Sequence, residues 1–328
     1  MHKAKKLFIS VVAVVGALVP VAAPAYAATD PSAVNGYRVS PVRSDLNLKP
    51  GQTSQTTVYI QNASNAVEKV QVIVNDFQPP SNESGNPALL LNGATAPRHS
   101  LKKFVKIPNP NLTLQPGEQQ PVTVVVTVPA GAAPGGYYGA VRVAPQGAST
   151  GKNVNLSGSV ASLVLLTVQG KITEQLSIAG FGVTKGDSGL NGHIFTSGKD
   201  LQAFARFQNS GNVQVAPFGK VLLKKGTKTL GTYSINDKTP AGNVLPDSIR
   251  RFNTKLDKVG SFGKYKVIGN FGFGAKGELL TAQTTIYVVP VAVIVIVLLA
   301  LVFLAFLVFG LPKLVKRHDR RVLSRNNR

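Results

Sequence analysis

Between two apolar ends, hydrophobic and polar positions alternate with a period of two. The stretches QTTVYIQN, EKVQVIVNDF, PVTVVVTVP and YYGAVRVAP carry β-branched residues at alternate positions, punctuated by Pro, Gly and Asn. This is the pattern of half-buried strands separated by turns, and no long window between the ends repeats at the helical period. The spacing predicts an all-β chain: two immunoglobulin-like β-sandwich domains in tandem, over residues 37–170 and 171–285, after a linker at 28–36. An internal echo supports a modular build. LNLKPGQTSQTTVYIQN from Leu46 and LTLQPGEQQPVTVVVTVP from Leu112 each run a short strand through Pro-Gly into a longer one. Between them lies the long loop QPPSNESGNPALLLNGATAPRHS, which Leu89, Leu90 and Leu91 are expected to tuck onto a sheet.

The two ends read differently. MHKAKKLFISVVAVVGALVPVAAPAYA has a basic start, an apolar middle and an A-x-A end, so residues 1–27 read as a signal peptide cleaved after Ala27. Val288 to Phe309 is an uncharged apolar run, and a transmembrane helix is expected over 286–311. At 1.5 Å per residue the run spans about 33 Å, enough for a hydrocarbon core of about 30 Å. The tail, 312–328, carries Lys313, Lys316, Arg317, Arg320 and Arg321, which are expected to stay cytoplasmic and contact lipid headgroups. These features imply a single-pass membrane protein with its body outside the cell.

Composition narrows the class. The chain has 328 residues and no cysteine, so an exported body must fold without disulfides. Of 36 Lys and Arg, 26 lie between the leader and the tail with 13 of the 14 acidic residues, a net +13. Outside a cell, such charge favours anionic wall polymers or lipids over nucleic acid, or serves solubility alone.

Candidate chemistry is sparse. Gly272 to Gly277 in GNFGFGAKGELL spells G-x-G-x-x-G, but ELLTAQTTIYVVP follows it and alternates instead of turning helical. The glycines are therefore expected to serve a hairpin and not a phosphate. Only His99 and His193 lie in the body, with no metal-ligand spacing. The S-x-x-K matches at Ser100 and Ser261 lack the companion motifs of penicillin-binding enzymes. Asp45, Asp76 and Glu118 are the carboxylates available for a glycosidase-like pair, with nothing to bring them together. No catalytic residue, cofactor or metal is implied.

The stretches YRVSPVRSDLNLKPGQTSQTTVYIQNAS, VPAGAAPGGYYGAVRVAP and LPDSIRRFNTKL, with GKYKVIGNFGFGAKGELLTAQTTIYVVP and the anchor, resemble WxL-interacting surface proteins of Gram-positive bacteria. The resemblance implies a first immunoglobulin-like domain that binds peptidoglycan and a second that engages a WxL-type protein. The residues suggest where. Tyr137 and Tyr138 are adjacent in a strand, so one points inward and the other outward, beside glycines that would leave room for a sugar ring. Against this stands a purely structural role for both, since strands are rich in aromatics. Arg38, Arg43 and Arg142 are candidates for wall carboxylates or phosphates, or are solvated edge charges. Arg250 and Arg251 alternate, so only one can face a protein partner.

The sequence thus reads as a non-catalytic, membrane-anchored surface protein that binds wall polymer and presents a site for another surface protein. The alternatives are a membrane-bound wall enzyme or its accessory subunit, and a pilus-chaperone-like assembly factor.

Overall fold

A computed structural model describes residues 36–91, 97–146, 159–186, 191–311 and 313. The expected leader, and the tail apart from Lys313, lie outside the described residues. Strands follow the alternation. In order they are β1 (Tyr37–Ser40), β2 (Arg43–Leu48), β3 (Thr53–Asn62), β4 (Glu68–Gln78), β5 (Ala88–Leu90), β6 (Val105–Lys106), β7 (Asn111–Leu114), β8 (Gln119–Thr127), β9 (Gly135–Pro145) and β10 (Val160–Val168). They form two facing sheets, ordered β1-β3-β8-β6 and β2-β10-β9-β4-β5, with β7 pairing β4 and β10 running parallel to β2. The core between them is almost all β-branched: Val58, Ile60, Val122 and Val124 meet Val72, Val141, Val143 and Leu166. Each such side chain, fully buried, contributes about 1.5–3 kcal/mol, which is how the sandwich holds without disulfides.

The second sandwich comprises β11 (Leu176–Lys185), β12 (Ile194–Phe195), β13 (Leu201–Asn209), β14 (Phe218–Lys225), β15 (Lys228–Ile235), β16 (Ser248–Lys255), β17 (Gly263–Phe273) and β18 (Glu278–Val288). Its sheets are β11-β13-β16 and β12-β18-β17-β14-β15. The core centres on Phe207, whose ring meets those of Phe252 and Phe271 edge-on at 5.9 and 5.1 Å. Two all-β sandwiches are thus followed by one apolar helix, α1 (Val291–Ala305), which continues as a π-helical turn at Phe306–Gly310. The helical span Val291–Gly310 has a mean hydropathy of 3.6 and is long and apolar enough to cross a membrane. It begins later than the sequence suggests. Ile286 and Val288 are still inward residues of β18, fully buried, and the alternation there belongs to the sheet.

Both sandwiches close a strand with the same side-chain lock. At the end of β3, Asn62 donates to the carbonyls of Ala66 and Leu114 and accepts from the Ser64 amide. At the end of β13, Asn209 donates to Val213 and Val244 and accepts from the Gly211 amide. Both asparagines are wholly buried, and at Asn209 all three bonds are buried too, so the backbone groups held there have no solvent to turn to.

Two sequence-level readings are settled locally. The G-x-G-x-x-G turn joins β17 to β18, with Gly274 and Gly277 at φ +70° and +67°, a region that favours glycine. The Glu174 carboxylate accepts from the Ala275 amide at 2.8 Å, so an anion already occupies the loop. In the long loop, β5 pairs with the end of β4 and Leu89 packs beside Phe77, Tyr138 and Leu165.

Candidate functional site

The open surface of the β1-β3-β8-β6 sheet is the candidate contact face of the first sandwich. Because Val58, Ile60, Val122 and Val124 point inward, their neighbours must point out. Cross-strand pairs then run Gln55 opposite Val125, Thr57 opposite Thr123, Tyr59 opposite Pro121 and Gln61 opposite Gln119. Tyr59 is 44% exposed. Arg38 lies opposite Gln61 and Lys106 opposite Val125, so cations stand only at the two edges of this run. Carboxamides and hydroxyls are donors and acceptors without charge, and Tyr59 with Pro121 supplies a flat apolar platform among them. Hydroxyls, acetamido groups and the C–H face of a sugar ring match that set. Tyr59 was not among the candidates read from the sequence. The signal was in TVYIQN, where inward Val58 and Ile60 force Tyr59 outward.

The tyrosine pair in β9 behaves otherwise. Tyr137 faces the core, its ring 4.8 Å from that of Phe104, and its hydroxyl donates to the Ala133 carbonyl. Tyr138 points outward, but the second sandwich covers it: it is 3% exposed and its hydroxyl donates to Gln214 at 2.9 Å. Burial raises the pKa of that hydroxyl. The outward tyrosine is therefore a strut between the sandwiches and is not free for a sugar. Arg142, on the same face, donates from Nε to Asn75 at 2.9 Å and has its pKa lowered by burial.

Three more arginines picked out in the sequence converge on this seam. Arg43 pairs with Asp45 at 2.9 Å and donates across the seam to the Ala241 carbonyl at 2.7 Å. Arg250 stacks 5.0 Å from the Phe252 ring centre, donates to the Asn243 carbonyl, and lies so close to Gly85 and Gly242 that a Cβ on either would strike its guanidinium. Burial, then the nearby charge of Arg43, lowers its pKa. Arg251 stacks 4.2 Å from the Phe204 ring centre. Neither Arg250 nor Arg251 is left to offer an external partner an uncommitted guanidinium.

The seam's central contact escaped sequence reading. Glu83, at φ +58° in the long loop, accepts a two-pronged interaction from Arg206, with Nε to Oε2 at 2.7 Å, while its carbonyl accepts from the Arg251 amide at 3.0 Å. The Arg206 hydrogen bonds hold the Glu83 carboxyl below its ordinary pKa. Beside this contact is a cavity of about 250 Å³ lined by Phe77, Pro80, Leu165, Leu245 and Arg250 among others. Ligand pockets run to about 300–1,000 Å³, so this volume suits a seam better than a bound molecule.

Ser100, Asp76, Asp45 and Glu118 are engaged in structural contacts. Ser100 is buried with its hydroxyl 2.8 Å from both Asp76 oxygens. Asp45 pairs with Arg43, and Glu118 accepts from the Gln115 amide in a Pro-Gly turn. Among the described residues no group of three or more His, Cys, Asp or Glu could hold a metal. Of the tail cations, Lys313 is exposed, and Lys316, Arg317, Arg320 and Arg321 lie outside the described residues.

Comparison with known proteins bears on the first sandwich. No curated protein matches the chain. Among solved structures, a chain of the chaperone–tip adhesin complex of CFA/I fimbriae is similar at 13% identity and TM-score 0.37, over 76% of this chain and 98% of that one. The YadV chaperone is similar at 14% identity and TM-score 0.35, over 76% and 100% of the two chains. The E. coli chaperone DraB follows at 14% identity and TM-score 0.33, over 77% and 98%. Likeness at this level carries nothing about function. Residues 44–144 match the family described as WxL Interacting Protein, peptidoglycan binding domain. That matched segment holds most of the strands of the first sandwich and most of its Tyr59 face.

Proposed function

We propose that this is a non-catalytic, membrane-anchored surface protein that grips peptidoglycan through the Tyr59 face and holds a second sandwich ready for another surface protein. The match of residues 44–144 to a peptidoglycan-binding domain family supports the first part. The uncharged Thr/Gln face around a 44%-exposed tyrosine supplies its chemistry. For the second part, β14 and β18 flank Gly272 with Phe218, 55% exposed, and Leu279, 83% exposed. Exposed apolar residues grouped in one row, at the end of the sandwich away from the helix, fit a protein contact. A WxL-type protein is the partner the resemblance suggests.

The test uses the mature full chain in detergent, sedimented with purified sacculi. Tyr59→Ala is expected to weaken retention about tenfold, since one well-placed aromatic commonly contributes more than 1 kcal/mol. Tyr59 packs into no core, so the thermal midpoint should not move. Retention equal to the parent chain sinks the assignment of the face. Release of soluble muropeptides by the parent chain favours the enzyme reading instead. Phe218→Ser with Leu279→Ser should leave retention on sacculi unchanged and abolish co-purification of a partner protein.

A further inference from the structure

From the geometry we infer a second lipid contact, outside the helix and tail: the end of the second sandwich nearest α1 seats on an anionic outer leaflet. The inference rests on the membrane-anchored reading above.

Only Val289 and Pro290 separate β18 from α1. The Val289 amide donates to the Phe195 carbonyl and the Tyr287 amide to the His193 carbonyl, so the joint has no slack. An extended chain advances about 3.3–3.6 Å per residue, which leaves the end of the sandwich about 10 Å from the first helical turn. Three large side chains are exposed there: Ile194 at 71%, Phe262 at 57% and Tyr287 at 42%. They are close neighbours in the sheet. Ile194 pairs with Tyr287, Tyr287 with Lys264, and Gly263, beside Phe262, with Val288.

Lysines fill the spaces between them. Lys264 holds its ammonium 5.8 Å from the Tyr287 ring centre, and Lys225 donates to the Phe262 carbonyl. Lys266 stands opposite both Lys224 and Thr285. Among the described residues none of these four lysines pairs with a carboxylate. Lys264, Lys266, Thr285, His193 and Tyr287 line an open basin of about 800 Å³.

A headgroup phosphate fits a basin of ammonium and hydroxyl donors. Tyrosine favours the boundary between headgroups and acyl chains, and apolar side chains such as Ile194 and Phe262 dip just below it. A soluble polyphosphate would satisfy the lysines but leave Ile194 and Phe262 in water. An anionic bilayer takes both, and it is already held beside them by the helix.

The chain has no cysteine, so one introduced cysteine takes one label. Full-length protein is reconstituted into vesicles of phosphatidylcholine, with or without phosphatidylglycerol. An environment-sensitive dye is placed at Ser261→Cys, at Gly131→Cys in the first sandwich, or at Ser324→Cys in the tail. With phosphatidylglycerol, the dye at 261 should be shielded from acrylamide and the dye at 131 should not. Lys264→Gln with Lys266→Gln should lower the ratio of seated to unseated molecules about 30-fold, at about 1 kcal/mol per lysine near an anionic surface. Equal quenching at 261 and 131 in both vesicle types, with 324 sealed in the lumen, overturns the seat and leaves the anchor standing. A dye at 324 that shares the solvent exposure of 131 overturns the anchor, and the seat with it. Shielding of 261 by added polyphosphate but not by phosphatidylglycerol makes the surface a wall-polymer site, and the lipid seat fails.

Discussion

Asn209→Ala is expected to destabilise the second sandwich by about 4 kcal/mol. The substitution removes one buried amide and strands two backbone groups, the carbonyl of Val213 and the amide of Gly211, while the carbonyl of Val244 keeps the Val215 amide as its donor. Each orphaned group costs about 1–3 kcal/mol when water cannot reach it, and Asn209 is fully buried. Asn209→Asp keeps the acceptor and loses both donors, so it should fall between the parent and the alanine variant only if the carboxylate can be solvated. Chemical denaturation of the full chain in detergent, followed by tyrosine fluorescence, measures both. A loss below about 1 kcal/mol for the alanine variant would mean that water enters the turn and replaces the side chain.

The second large effect is at the seam. Glu83→Gln removes a charged, forked contact with Arg206 and should cost about 2 kcal/mol. Glu83→Arg sets a third cation beside Arg206 and Arg251 and should cost about 4 kcal/mol. The carboxyl of Glu83 has a folded pKa below its ordinary value, caused first by the Arg206 hydrogen bonds and then by the nearby guanidinium charges. Its contribution is therefore complete above the ordinary glutamate pKa of about 4.3 and is lost as pH falls through the lowered folded value. The parent chain should accordingly lose more stability than Glu83→Gln on acidification. Limited proteolysis within residues 79–91 reports the opening of the seam at each pH. If parent and Glu83→Gln are cut at the same rate at neutral pH, the contact does not hold the sandwiches together.

The difference between the two faces of the first sandwich shows what a period of two can and cannot tell. Alternation says which residues point out of a sheet, so Tyr59 and Tyr138 are both legible as outward. It does not say what lies above the sheet. Tyr59 meets solvent, whereas Tyr138 meets Gln214 of the second sandwich, 76 residues away in sequence. The Glu83–Arg206 contact joins residues 123 apart, and no local pattern marks either one. The repeated lock was within reach. IQNAS at Ile60 and FQNSG at Phe207 both place Gln-Asn at a strand end. The helix boundary was obscured by chemistry, since Ile286 and Val288 are as apolar as the span that follows. The pairing of Val288 with Gly263 of β17 and Phe195 of β12 separates sheet from helix there.

That pairing decides how the molecule bears a load. A pull on α1 draws β18 along its own axis, since the helix leaves from the strand's end. Eleven registered pairs with β17, from Gly263–Val288 to Phe273–Glu278, resist such sliding together. The parallel partner β12 adds two more at the end nearest the pull. Hydrogen bonds arranged across the direction of force fail in concert, unlike those of a hairpin peeled open from its tip one rung at a time. The joint between α1 and the body is thus suited to tension, the load that turgor would put on it under the proposed fastening to both membrane and wall.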